Sequence, residues 1–194
     1  MTLTISQTPA LIQPVATPAK IASEVIFYAS KDCALGHVLA ARSVNGVRAI
    51  LIGTDLAGLR GDLAARFPSA ALVLNEAALR DDLAKVVRFM ESPAEGLELT
   101  LDMRGTPFQR RVWEKLRAIP AGRTMTYAEV ARWVSPRTSA RAIGSACAAN
   151  PIALAIPCHR VVRSDGDLAG YRWGLERKRE LIKKEATAKK GVLA

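Results

Sequence analysis

A mixed α/β (α+β) half followed by a mostly helical half is the architecture that this 194-residue sequence predicts. Three observations predict it. The first half holds short apolar runs rich in Val and Ile, separated by turn residues, as strands are. The second half holds two Thr-x-x-Gln/Glu capping boxes, each opening a stretch with helical apolar spacing. Charge also breaks between the halves: residues 1–104 carry 10 Lys+Arg against 11 Asp+Glu, and residues 105–194 carry 18 against 7. The net charge of +10 therefore lies wholly in the second half, and such asymmetry points to a polyanionic partner, most often nucleic acid.

Taken in order, residues 1–23 hold Pro9, Pro14 and Pro18 with no sustained period, and are expected to be a flexible tail. Val25–Ala29, His37–Val44 and Val47–Gly53 read as consecutive strands, with a turn at Asn45-Gly46. Asp55–Phe67 and Glu76–Met90 have helical spacing, and Leu97–Asp102 alternates like one more strand. These elements define a first domain over 24–104. The second, over 105–187, starts at Thr106-Pro107-Phe108-Gln109, where Thr106 caps, Pro107 takes the first turn and Gln109 closes the box. Thr126-Tyr127-Ala128-Glu129 opens a short helix to about Val134. Ser135–Thr138 forms a turn, and a third helix runs from about Ala140 until Asn150-Pro151 stops it. Two short helices about a tight turn resemble a helix-turn-helix. Residues 188–194 are read as a second flexible tail.

Composition excludes several classes. Apolar residues make up 49% and charged residues 24%, which rules out a mostly disordered chain. Three widely spaced cysteines suggest no disulfide framework, and with two histidines they predict no metal site. No secretory signal and no membrane span are expected, since the apolar runs are short; a cytoplasmic protein with reduced thiols is the reading. No cofactor motif is present.

The third helix is bare: Ala140, Gly144, Ser145, Ala146, Ala148 and Ala149 leave Arg141 and Ile143 as its large side chains. Such a helix can press its backbone against another surface, either a packed core or DNA. Arg141 in the first turn opposes the helix dipole, which favours an external partner. The apolar run Ile152–Ile156 ends in Pro157-Cys158-His159-Arg160. A Cys-His pair is often ordinary core, but here it lies among cations and ahead of a glycine-rich aromatic segment, Gly166 to Gly174. Neighbouring cations and a histidine base raise the thiolate fraction of a cysteine. Adjacent side chains diverge on a regular element, so any relay between the two needs a turn or a water.

From about Asp102 to Glu185 the chain resembles the O6-alkylguanine-DNA alkyltransferases. The resemblance rests on Gly105–Gln109 with Val112-Trp113, Ile119-Pro120, Gly122, Thr126-Tyr127, Arg141–Gly144, Asn150-Pro151, Pro157–Val161 and Gly170-Tyr171. Gly-Tyr-Arg-Trp-Gly at 170–174 matches the bacterial adaptive-response type. For the first half the likeness is loose, through Asp32-Cys33 and Leu35-Gly36, and implies an RNase H-like domain without RNase activity. The resemblance implies DNA repair by a monomer that takes one alkyl group per molecule, mainly methyl from O6 of guanine and also from O4 of thymine, with no cofactor. It implies Cys158 as nucleophile, His159 as its base through a water, Glu185 orienting His159, Asn150 holding the hinge, and Tyr127 assisting the departing guanine. The partner is double-stranded DNA bound at the minor groove, with the nucleotide flipped and Arg141 filling the stack. Ala140, Gly144, Ser145, Ser164 and Tyr127 are then DNA contacts. Cys147, Val161, Tyr171, Arg172 and Trp173 are then pocket residues, with Trp173 limiting the pocket to a methyl group.

Two rivals remain at this level. A non-catalytic lesion-binding protein lacks the reactive cysteine, which is present here. A major-groove transcriptional regulator needs base-edge donors such as Asn, Gln or Lys, which the third helix lacks.

Overall fold

The computed structural model describes residues 24–168 and 170–191, apart from the side chains of Ala94 and residues 188–191. The expected tail over 1–23 and residues 192–194 lie outside the described residues. The rest of the predicted second tail does not: the last helix continues through Gly191.

The first half is a four-stranded sheet with helices packed on it. β1 (Glu24–Cys33), β2 (Gly36–Ser43) and β3 (Gly46–Gly53), predicted as consecutive strands, form an antiparallel meander. The turn at Asn45-Gly46 requires glycine: Gly46 has φ of 140°, and a Cβ there would meet the Thr100 carbonyl oxygen at 2.5 Å. α1 (Leu56–Arg66) follows, capped by Asp55, whose carboxylate accepts from the amides of Ala57 and Gly58. β4 (Ala70–Leu74), a strand the sequence reading did not assign, then pairs parallel with β1, giving the order β3-β2-β1-β4. α2 (Glu76–Glu91) turns Leu79, Leu83, Val86, Phe89 and Met90 inward.

The expected strand at Leu97–Asp102 is corrected. Its alternating leucines are half-buried, but the segment forms only a bridge between Leu101 and Val47. It lies along β3, with Val47 N–H donating to Thr100 O (2.8 Å) and Asp102 N–H to Val47 O (2.9 Å).

The second half is mostly helical. α3 (Pro107–Arg117) and α4 (Tyr127–Val134) both start on the predicted capping boxes, with each partner in place. α5 (Ala140–Ala148) is capped by Ser139 and packs on α3 and α4. Trp113 is fully buried and ties α3 to α5 by donating to the Ala146 carbonyl at 2.9 Å. Two-residue strands β5 (Met125–Thr126) and β6 (Val161–Val162) pair parallel, and α6 (Leu175–Gly191) closes the chain.

Ile152–Ile156 is apolar and buried but is a turn, not a strand. It makes one bridge to β3, where Ile50 N–H donates to Pro151 O and Ala153 N–H to Ile50 O, each at 3.0 Å. Buried side chains of both halves form one continuous core, with Ile26, Leu39 and Leu51 joined to Trp113, Ile156 and Leu181. Among the described residues no helix is long and apolar enough to cross a membrane.

Candidate active site

The path to the site starts where α5 stops. Asn150 is fully buried, and its amide serves three partners on the turn that follows. Its Oδ1 accepts from Ile152 N–H (2.8 Å), while its Nδ2 donates to Ile156 O (2.9 Å) and to Cys158 Sγ (3.3 Å). One side chain thus sets the end of the helix, the turn and the thiol. Leu154, within that turn, has φ of 66°, a left-handed conformation that a leucine adopts only where its surroundings dictate it.

Cys158 opens a 3₁₀ turn, Cys158–Arg160, in which all three side chains are buried. The sequence reading expected nearby cations to favour the thiolate; Lys178 does so, but burial outweighs it. Burial pushes the Cys158 thiol up to about 11, against the opposing pull of the Asn150 hydrogen bond and the charge of Lys178. Arg160 does not face the sulfur. Its Nε and Nη2 lie 2.8–3.2 Å from the Glu185 carboxylate, and its Nη1 donates to the Ile119 carbonyl.

His159 is fully buried, with Nε2 2.9 Å from Glu185 Oε1 and no protein partner at Nδ1. Burial holds its pKa below the ordinary histidine range, although Glu185 pulls the other way. The neutral ring with Nε2–H donating to Glu185 leaves Nδ1 as a free acceptor. Burial alone would raise the Glu185 carboxyl. The hydrogen bonds from His159 and Arg160 outweigh burial and bring it down to about 2.

Lys178 was passed over by the sequence reading. It is fully buried on α6, donates to Val161 O at 2.6 Å and lies 6.0 Å from the Tyr127 ring centroid. Burial lowers its pKa, opposed by the nearby thiols Cys158 and Cys147. A signal existed. Lys178, Leu181 and Glu185 are spaced at three and four residues, so two charged groups share the inward face of α6 with a buried leucine.

A cavity of about 740 Å³ opens onto Cys158. Of the predicted DNA contacts, Tyr127, Ala140, Gly144 and Ser164 line it. Of the predicted pocket residues, Cys147, Tyr171 and Arg172 do. Burial raises the Tyr127 hydroxyl to about 12 and raises the Cys147 thiol further still above its usual value. Ala128, Ala148, Arg163 and Gly170 also line the cavity and were not anticipated. Arg141 and Ser145 are exposed on α5, outside the cavity wall.

Two expected wall residues are elsewhere. Val161 is buried beneath the site and gives its carbonyl to Lys178. Trp173 is only 5% exposed, and its indole turns inward to pack edge-on against Tyr171 (centroids 5.1 Å apart, 69°). Tyr171 in turn meets His159 edge-on at 6.4 Å. Burying a large apolar ring against another outweighs leaving it at the rim, so Trp173 supports the wall from behind.

An enclosed Cys158, with the carboxylate-held His159 beside it and Arg163 and Arg172 lining the cavity it opens on, defines a thiol-centred reactive site. Comparison with known proteins makes this specific. Residues 107–187 match the family described as 6-O-methylguanine DNA methyltransferase, DNA binding domain. A methylated-DNA–protein-cysteine methyltransferase of Candida albicans is 35% identical over 170 residues, covering 82% of this chain and 96% of that one. The bifunctional transcriptional activator/DNA repair enzyme Ada of Escherichia coli is 45% identical over 159 residues, which is 82% of this chain but 45% of Ada. The chain thus spans under half the length of the Ada proteins it matches. Among solved structures, Mycobacterium tuberculosis OGT in complex with DNA superimposes with a TM-score of 0.69 at 30% identity, covering 84% of this chain and 94% of that one. The chain belongs to the methylated-DNA–protein-cysteine methyltransferase family.

Proposed function

We propose that this protein repairs double-stranded DNA by moving an alkyl group, mainly methyl, from O6 of guanine (and O4 of thymine) to Cys158, once per molecule. The observation that carries the reading is the His159 ring. Its Nε2 is fixed by Glu185, its Nδ1 is free, and it belongs to the same 3₁₀ turn as Cys158. At pH 7.5 a thiol titrating near 11 is ionised in on the order of one molecule in several thousand. The base therefore has a real task. His159 accepts the thiol proton through water, Glu185 stabilises the imidazolium, and Asn150 and Lys178 support the thiolate. The thiolate attacks the alkyl carbon, the S–C bond forms as the C–O6 bond breaks, and the electron pair leaves on guanine, which Tyr127 assists by donating its hydroxyl proton. The thioether has no leaving group, so the molecule is spent.

We read α4, the turn at 135–139 and α5 as a helix-turn-helix laid against the minor groove. The small residues of α5 support a close approach there, and Arg141 fills the stack that the flipped nucleotide vacates. Residues 24–104 form an RNase H-like domain in this reading, which the antiparallel meander with parallel β4 supports, and 105–187 the alkyltransferase domain. In this reading the protein works in the cytoplasm, as a monomer.

The test is transfer of labelled methyl from an O6-methylguanine duplex, with the modified residue mapped by mass spectrometry. Label on the Cys158 peptide, absent from Cys158→Ala, is expected. Label elsewhere, or none, refutes the assignment.

A further inference from the structure

The cavity holds two sulfur atoms, and the transfer described above uses one. Cys147, in the last turn of α5, lines the cavity together with Cys158, and both thiols are buried and free. One residue fastens the two. Asn150 N–H donates to Cys147 O (3.2 Å), and its Nδ2 donates to Cys158 Sγ (3.3 Å). The Tyr127 hydroxyl and the Lys178 ammonium each stand near enough to both thiols to feel the charge of either. The third cysteine, Cys33, is on β1 and outside the cavity wall.

A methyl thioether on Cys158 has no leaving group, whereas a 2-chloroethyl thioether carries one on its second carbon. We propose that Cys147 is a second acceptor, which captures the far carbon of a 2-haloethyl group that Cys158 has taken from O6 of guanine. The proposal rests on the alkyl-transfer reading above. The Cys158 thioether sulfur displaces chloride from the second carbon, giving a three-membered episulfonium ring. Cys147 Sγ attacks a ring carbon, the electron pair of the broken C–S bond returns to Cys158 Sγ, and the Cys147 thiol proton passes to water. The products are one S–CH2–CH2–S bridge, chloride and a proton. A thiol held in the same cavity acts as an intramolecular nucleophile and outcompetes water. The Lys178 ammonium, donating to Val161 O, presents no lone pair. Closure destroys an electrophile that would otherwise join the protein covalently to the DNA.

The test incubates the protein with a duplex carrying freshly installed O6-(2-chloroethyl)guanine, freed of reagent, and maps the products by peptide mass spectrometry. Yields are counted per alkylated Cys158. Wild type should give mainly an ethylene bridge between the Cys147 and Cys158 peptides. Cys147→Ala should lower the bridge at least about tenfold, with 2-hydroxyethyl-Cys158 or a DNA crosslink in its place. Cys33→Ser should bridge as wild type does. Hydroxyethyl-Cys158, a bridge to Lys178 or a DNA crosslink as the main wild-type product overturns the proposal. So does a bridge that persists in Cys147→Ala or vanishes in Cys33→Ser. Failure of the underlying reading shows separately, as no methyl on Cys158 after incubation with an O6-methylguanine duplex.

Discussion

Asn150→Ala removes three hydrogen bonds at once, and the structure fixes what each loss does. Ile152 N–H is left buried without its partner, while Ile156 C=O keeps its bond from Cys158 N–H (2.8 Å). At about 1–3 kcal/mol for the one stranded amide, the fold loses a sizeable share of the ~5–15 kcal/mol that holds a domain together. The thiol loses its donor too. Asn150 is the main influence opposing burial at Cys158, and a hydrogen bond to a charged group contributes about 1.5–3 kcal/mol, or roughly one to two pKa units. That cuts the thiolate fraction by about 10- to 100-fold. A more basic thiolate is a better nucleophile, with a Brønsted coefficient of about 0.4–0.5, so the net rate falls by only about four- to twelvefold at fixed pH. Urea denaturation gives the first quantity, and the pH profile of iodoacetamide labelling at Cys158 gives the second. Single-turnover methyl transfer at pH 7.5 and 9.5 gives the third, with both proteins faster at the higher pH and their ratio held, since both pH values lie below about 11. If the iodoacetamide profile of a folded variant matches wild type, Asn150 acts on the turn alone and the electrostatic part of the argument is wrong.

Two further outcomes follow from the same geometry. Glu185→Gln leaves the buried guanidinium of Arg160 uncompensated, which should cost about 3–5 kcal/mol at pH 7 by urea midpoint and slow methyl transfer. The Glu185 carboxyl titrates below its unfolded value, so its stabilisation is present above about pH 4.3 and lost as pH falls toward 2. The stability gap between wild type and variant should therefore narrow over that window, and a constant gap would contradict the charged role. Arg141→Ala should slow transfer from duplex DNA far more than from a free O6-alkylguanine base, which needs no flipping; equal losses on both would place Arg141 in support of the cavity.

What the sequence disclosed was largely what local chemistry decides. The capping boxes at Thr106 and Thr126 are closed within four residues, so both helix starts could be read directly. β4 was missed because five apolar residues carry no period until β1 pairs with them. At 97–102 the alternation is genuine, but it reflects leucines resting on the core and not a ladder. The thiol and its histidine were legible from a motif. The direction of the thiol's pKa was not, because Arg160 looks like a neighbouring cation in sequence while its charge is spent on Glu185. Lys178 left a trace in its spacing with Leu181 and Glu185, whereas the inward turn of Trp173 left none.

The backbone bonds that fasten Pro151–Ala153 and Thr100–Asp102 to β3 bear on how the chain survives before it reacts. β3 is the outer strand of its sheet, and its residues from Gly46 to Ile52 are all buried. An uncovered strand of this kind, apolar and rich in branched side chains, is a template for other chains to add to. Here the residues leading to the nucleophile serve as its cover. The sheet cannot be freed of the helical half without exposing that edge, so loss of either half should surface as aggregation and not as a stable fragment. If each molecule is used once, as proposed, the same stitch that seats the reactive turn also keeps unspent copies from sticking to one another.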